Sequence, residues 1–226
     1  MSFYLRFPSS VRLTRIVILM NVSLSNKLFN FVKKIKPKAI ITYRSLVFFS
    51  LAKLKYFSNV NFEKKIKIIQ RMSIQGEGFI TFKEGCVMGV FPSPNFYKGE
   101  IYLEARSSTS KINIGRRVFI NNNATIISDK SSITIGDDTL IGPNFICFDS
   151  NFHPLNPEKR LSDDYSCNPV TIGNNVFIGA NVTVLQGVTI GDNSVIGAGL
   201  VVCSDIPSNV IVKASSTHEC KLIKSI

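Results

Sequence analysis

Apolar and polar positions along this chain are most regular after residue 170, where they recur every six residues. The segment reads VTIGNN, VFIGAN, VTVLQG, VTIGDN, SVIGAG, LVVCSD. The third place is always a branched aliphatic: Ile172, Ile178, Val184, Ile190, Ile196 and Val202. The first place is small or apolar, from Val170 to Leu200, and two residues apart is the strand period, so both places face one side. The sixth place holds Asn175, Asn181, Gly187, Asn193, Gly199 and Asp205, residue types that tolerate positive φ. A six-residue step lands on opposite sides of an α-helix, and the turns are too short for successive strands to reverse. The pattern therefore predicts a solenoid in which short strands and tight corners alternate and stacked coils bury the aliphatic column.

The same phase runs earlier. Ile114 and Ile120 lead to Asn123, and Ile135 and Ile141 are followed at the same offset by Asp138 and Asn144. A three-residue slip around Asp129–Ser132 reads as a bulged corner. Upstream, amphipathic helices are expected at Leu24–Ile35, Ile40–Phe57 and Asn61–Arg71, with Pro37 separating the first two. The expected organisation is a basic helical region over 1–72, a β-solenoid over 73–212 with an inserted loop at 148–169, and a tail over 213–226.

Charge sharpens this division. Residues 1–70 carry a formal +13, whereas the remainder carries −1. No apolar run there reaches the roughly 18 residues of a membrane-spanning helix. Two uses of the front end remain open: peripheral contact with an anionic membrane face through basic and Phe/Leu side chains, or a helical cap over the solenoid. No nucleic-acid-binding module is recognisable, so no nucleic-acid partner is expected. Five cysteines without a CxxC pair fit a reduced, cytoplasmic compartment, with placement against the inner membrane face as an extension of the first use.

Between Cys147 and Val170 the hexads stop, and FDSNFHPLNPEKRLSDDYSCNP reads as a loop ejected from the scaffold. It contains His153, one of two histidines. A neutral imidazole is suited to accept a proton from an attacking hydroxyl or amine. Its other ring nitrogen must be held by a partner, and Asp149, Asn151 or a backbone carbonyl is in reach along the chain.

Residues 75–212 resemble the hexapeptide-repeat acyltransferases, in particular the galactoside/maltose O-acetyltransferase branch and its relatives in surface-polysaccharide synthesis. The resemblance is carried by Asn121-Asn-Asn-Ala-Thr-Ile, Ile141-Gly-Pro-Asn, Asp149-Ser-Asn-Phe-His-Pro and the run from Pro169 through Ile206-Pro. It implies an all-β, left-handed parallel β-helix, here with an α-helical basic N-terminal extension. It also implies acetyl-CoA as acyl donor, without a metal, and a homotrimer with active sites between subunits. His153 takes the place of the general base and Asn121 that of an acceptor-contacting asparagine; Asp149 and Asn151 join them as acceptor-side candidates. On the donor side, Gly179, Ala180 and Ala198 would let the pantetheine arm approach, with the Ala180 amide as an oxyanion contact. Phe177 stands where the family usually has Trp, and Cys203 where it commonly has Thr. Lys221 is the remaining candidate for the coenzyme phosphates.

The expected activity is therefore transfer of acetyl to a sugar hydroxyl of a surface glycan (O-antigen or capsule). N-acetylation of an amino-sugar nucleotide, or O-acetylation of a small molecule such as an antibiotic, would use the same base and donor. A zinc enzyme on this scaffold would need three imidazoles, which two histidines cannot supply. A non-catalytic scaffold would not need the intact loop around His153.

Overall fold

A computed structural model describes residues 35–53, 59–64 and 66–214. The chain divides into two units, 1–43 and 44–226. Residues 35–53 are helical. The helix includes Pro37, which was expected to separate two helices; proline's fixed φ is itself helical, although its ring forfeits one N–H bond and crowds the carbonyl four residues earlier. The expected helix Leu24–Ile35 lies outside the described residues except for Ile35, as do 54–57 of the second.

The third expected helix is instead the start of the solenoid. Val60–Phe62, Lys67–Ile68 and Arg71–Gln75 are strands, so the coil begins before residue 73. Here tertiary pairing overrides local periodicity: Val60–Phe62 pairs in parallel with Phe79–Phe82, and Arg71–Gln75 with Glu100–Ala105.

From Val60 to Val202 the strands visit three sheets in strict rotation; the next first-face place holds only an Ile190–Ile206 bridge before Ile211–Val212 joins the second face, and every strand pair is parallel. The first face stacks Val60–Phe62, Phe79–Phe82, Lys111–Ile114, Ser132–Ile135, Val170–Ile172 and Thr189–Ile190. The second runs from Lys67–Ile68 through Val87–Met88, Phe119–Ile120, Leu140–Ile141, Phe177–Ile178 and Val195–Ile196 to Ile211–Val212. The third runs from Arg71–Gln75 through Glu100–Ala105, Thr125–Ser128, Ile146–Phe148 and Thr183–Val184 to Val201–Val202. Three hexads make one turn, as the pairings Thr171 with Thr189, Phe177 with Val195 and Thr183 with Val201 require. Corners are named here by the faces they join: one (first to second), two (second to third) and three (third to first).

The column Ile172, Ile178, Val184, Ile190, Ile196 and Val202 is buried as the pattern demands. Each such side chain contributes about 1.5–3 kcal/mol on burial. Ser194 breaks the apolar series, but its hydroxyl donates to the Pro207 carbonyl at 2.7 Å, so no polar group is orphaned. Positive φ occurs at Asn123, Asp138, Asn144, Asn175, Asn181, Gly187, Asn193 and Gly199, as expected. Asp205 departs from the expectation: its φ is not positive, and its carboxylate accepts from the Thr189 N–H at 2.7 Å. Arg117 takes the left-handed conformation instead, at φ 54°, its guanidinium bonded to Asp138 at 2.6 Å.

Within the second unit, the helical stretch after Arg44 closes the first coil. Phe48 is buried and lies 5.9 Å from Phe62, whose ring stacks on Phe82 at 5.3 Å. Ser45 Oγ donates to the Ile68 carbonyl and Arg44 Nη1 to that of Ile69. For this stretch, the cap is the reading that the contacts support. Among the described residues no helix is long and apolar enough to cross a membrane.

Candidate active site

Two long insertions leave the coil at different corners. One, between Val87–Met88 and Glu100–Ala105, leaves at corner two; the other, between Ile146–Phe148 and Val170–Ile172, leaves at corner three and carries His153. The base of the second is pinched by an antiparallel bridge between Ser150 and Cys167, and the Asn168 N–H donates to the Asp149 carbonyl at 2.8 Å.

His153 is exposed, and its Nδ1 lies 2.9 Å from the Arg160 carbonyl oxygen. A carbonyl can only accept, so this contact places the proton on Nδ1 and leaves the lone pair on Nε2. Of the three partners considered, the backbone carbonyl is the one used. Asp149 is fully buried and turned into corner three, where it accepts from Ser128 Oγ and the Asp129 N–H at 2.7 Å and from the Ser131 N–H at 3.0 Å. This carboxyl fills the three-residue slip and satisfies its backbone. It is spent on the corner and offers nothing to an acceptor, against the role expected of it. Burial pushes its pKa up, against those three donors. Asn151 is exposed on the ascending limb of the loop.

Phe152, next to the histidine, has φ 60°, a conformation uncommon for a bulky side chain. It is held there on three sides. Its N–H donates to Ser150 Oγ at 2.8 Å, its ring meets Phe148 at 5.2 Å, and the Arg106 guanidinium sits 5.0 Å over it. The far limb is fastened by Lys130, whose Nζ lies 3.8 Å from the Tyr165 ring and 3.2 Å from the Asp163 carbonyl. Asp129 joins the clasp: it is buried, accepts from Ser150 Oγ at 3.2 Å, faces Arg106 at 3.6 Å, and raises the Tyr165 pKa by accepting from its hydroxyl. Sequence reasoning missed Phe152, Arg106, Lys130 and Tyr165; the departure of a Phe from β geometry leaves no trace in composition.

Asn121 stands at corner two, so the whole width of the third face separates it from His153 within one chain. Its Oδ1 accepts from Ser93 Oγ and from the Asn122 N–H, both at 2.7 Å. Gly179, Ala180 and Ala198 also lie at corner two, and Phe177 points outward from the second face, half exposed. A Cβ on Gly179 would come within 2.6 Å of Ala198 N, so its smallness is required by the coil stacked above it. Among the described residues nothing accepts from the Ala180 N–H. Cys203 is exposed at corner three, above the loop of His153. Lys221 lies outside the described residues. Among those that are described, no group of three or more His, Cys, Asp or Glu side chains is arranged to hold a metal ion.

Comparison with known proteins gives these features a context. The family model "Hexapeptide repeat of succinyl-transferase" matches residues 169–204. The galactoside O-acetyltransferase of Escherichia coli K12 is 46% identical over 117 residues, covering 52% of this chain and 55% of that protein. The polysialic acid O-acetyltransferase of Escherichia coli O1:K1 is 36% identical over 130 residues, covering 56% of this chain and 39% of that protein. A solved hexapeptide-repeat acetyltransferase of Vibrio cholerae is 32% identical, covering 63% of this chain and 73% of that one, with a TM-score of 0.47. The same protein solved with acetyl coenzyme A is 29% identical, covers 71% and 72%, and has a TM-score of 0.43. The chain spans about half the length of the curated relatives it matches.

Proposed function

We propose that this chain is a hexapeptide-repeat acyltransferase, with the left-handed parallel β-helix of that family, and that it transfers acetyl from acetyl-CoA to a sugar hydroxyl, with His153 as general base. The observation that carries the reading is the Nδ1 contact to the Arg160 carbonyl, which presents a basic Nε2 from an exposed ring on a clasped loop. Nε2 takes the hydroxyl proton as the sugar oxygen attacks the thioester carbonyl. The Ala180 N–H is the candidate donor to the oxyanion that forms. When the tetrahedral intermediate collapses, the carbon–sulfur bond breaks and the imidazolium returns its proton to the departing coenzyme A thiolate. Direct transfer is favoured over an acyl-enzyme. Cys147 is buried with its pKa pushed upward, and Cys86 is raised to about 11, so neither offers a thiolate.

The assembly we propose is a homotrimer. Phe119, Leu140, Phe177 and Val195 align in register on the outside of the second face, an apolar column suited to meeting another copy. Asn121 and His153, on different corners, would then reach one acceptor from two protomers. The proposed acceptor is a surface glycan or its precursor, in line with the named substrates of the galactoside and polysialic acid relatives. We further propose that the protein is cytoplasmic, with the basic residues that precede Arg44 against the inner face of the membrane.

The test is incubation with labelled acetyl-CoA and a panel of glycosides, sugar nucleotides and lipid-linked glycans, read by mass spectrometry. A mass gain of one acetyl on a sugar oxygen is the expected result. Acetyl found only on the nitrogen of an amino sugar would overturn the hydroxyl assignment.

A further inference from the structure

The backbone around His153 has one soft joint. His153 precedes Pro154, which confines it to extended conformations. Pro154 has the fixed φ of its ring and is itself buried. Phe152 carries neither restriction, yet it stands at φ 60°, which its bulky side chain disfavours. That angle sets the direction in which the chain carries the imidazole. A conformation of this kind persists only where its surroundings impose it. Whatever imposes it on Phe152 therefore also orients His153.

The bond from the Phe152 N–H to Ser150 Oγ ties the backbone from within the loop, but the ring is held from the coil. Phe148, at the end of its strand, meets it edge to face at 5.2 Å. The second hold comes from further down. Ala105 is in register with Ser128, and Ile127 with Phe148, so Arg106 leaves corner three two coils beneath the loop. Two strand spacings amount to about 10 Å, which a long side chain has to climb.

The guanidinium is braced on the way. Arg106 Nε donates to Glu104 Oε1 at 2.8 Å and Nη2 to Glu104 Oε2 at 3.3 Å, while Nη1 lies 3.6 Å from Asp129 Oδ1. Glu104 is held in turn by the Tyr102 hydroxyl, which donates to its Oε2 at 3.0 Å. From this fork the guanidinium stands 5.0 Å over the Phe152 ring. The arginines of corner one do less: Arg116 and Arg117 end on the carboxylates of Asp137 and Asp138 in the next coil.

We infer that Arg106 is a positioning residue: braced by Glu104 and Asp129, it holds the Phe152 ring, keeps that residue left-handed, and so keeps the imidazole of His153 with Nδ1 on the Arg160 carbonyl and Nε2 free. The inference deepens the reading of His153 as general base and rests on it. Arg106 acts through Phe152 and is given no contact with a reacting atom.

The experiment reads the tautomer of His153 by heteronuclear NMR of the full chain labelled at histidine, with His153→Ala to assign the signal. With the ring neutral, the wild type should show the Nδ1–H form. Phe152→Gly keeps access to positive φ but removes the ring, and Arg106→Met removes the cation but keeps an unbranched side chain. Both should show the two tautomers mixed. Phe152→Tyr, which restores the ring, should return the wild-type form. In turnover assays the first two should lower kcat about tenfold or more with both KM values within about twofold, and Phe152→Tyr should stay within about twofold of wild type. Should Arg106→Met fail to fold, Arg106→Met/Glu104→Gln removes the carboxylate it leaves unpaired and takes its place. An unchanged tautomer in Phe152→Gly, or in the folded Arg106 variant, would overturn the inference. So would a tautomer change that leaves kcat at the wild-type value. A tautomer change in a protein whose His153→Ala variant still transfers acetyl at the wild-type rate would leave the coupling of Arg106 to the imidazole standing and remove the base.

Discussion

The imidazole of His153 is oriented by the main chain of Arg160, its Nδ1 lying 2.9 Å from that carbonyl oxygen. The partner is seven residues along the same loop, so the loop sets the tautomer of its own base. Elsewhere a carboxylate often does this work; here the nearest acid in sequence, Asp149, is buried in the corner below.

Because the contact uses a backbone atom, the Arg160 side chain is dispensable to it. Arg160→Ala should keep kcat within about threefold of wild type. Steady-state kinetics check this, and a loss of two orders of magnitude would mean that the guanidinium itself acts.

Asp149 serves stability. Asparagine in its place has one acceptor oxygen for three donors, and its NH2 would confront a backbone N–H of Asp129 or Ser131. Leaving such a buried donor unpaired costs about 1–3 kcal/mol. Urea unfolding of Asp149→Asn should show a loss of this size, with the m-value unchanged.

Gly179 is set by stacking. A Cβ there would meet Ala198 N at 2.6 Å and Ala198 Cα at 2.8 Å, both backbone, so neither can swing aside. Gly179→Ala should destabilise the coil by about 1–3 kcal/mol through overpacking. Its thermal midpoint should fall accordingly, whereas an alanine at Gly199, where nothing lies within 4 Å, should lose only what its positive φ costs.

The acidic limb of the stability curve follows from corner one. The Arg116 backbone N–H, with its guanidinium, holds Asp137 below the ordinary 3.8, and the Arg117 guanidinium does the same for Asp138. Depressed carboxyl pKa values stabilise above 3.8 and lose that contribution as pH falls through the folded values. Asp149 has the opposite sign: its raised pKa favours the folded state below its unfolded value and is lost as pH rises through the folded one. Thermal midpoints should therefore decline below about pH 4, less steeply in Arg117→Ala, whereas Asp149→Asn should change the shape of the curve only above 3.8, where protonation of Asp149 otherwise adds stability as pH falls. Parallel curves for all three proteins would contradict these assignments.

Much of the coil was readable because its period is short and each period carries its own corner residue: Asn175, Asn181 and Asn193 take the φ that their type suggests. The slip near Asp129 was visible as a change of phase, but its cause was not, since Asp149 reaches it from the next coil. The early coils were misread. Val60–Phe62 and Arg71–Gln75 have partners about twenty to thirty residues away, and a helical period in Asn61–Arg71 says nothing of such pairing. The corner-two insertion escaped notice because what marks it, Asn122 buried beneath Val90 and Pro94, lies in another turn of the coil. His153 was legible from its loop, and its partner was one of several left open.

Single-turnover transfer from acetyl-CoA to an accepted glycoside, compared between wild type and His153→Ala, bears most directly on the proposed mechanism. General-base removal should slow the chemical step by about 10²–10⁴-fold, while acetyl-CoA binding and the oligomer measured by sedimentation stay as in the wild type. Transfer at the wild-type rate by the alanine variant would contradict the assignment of the base.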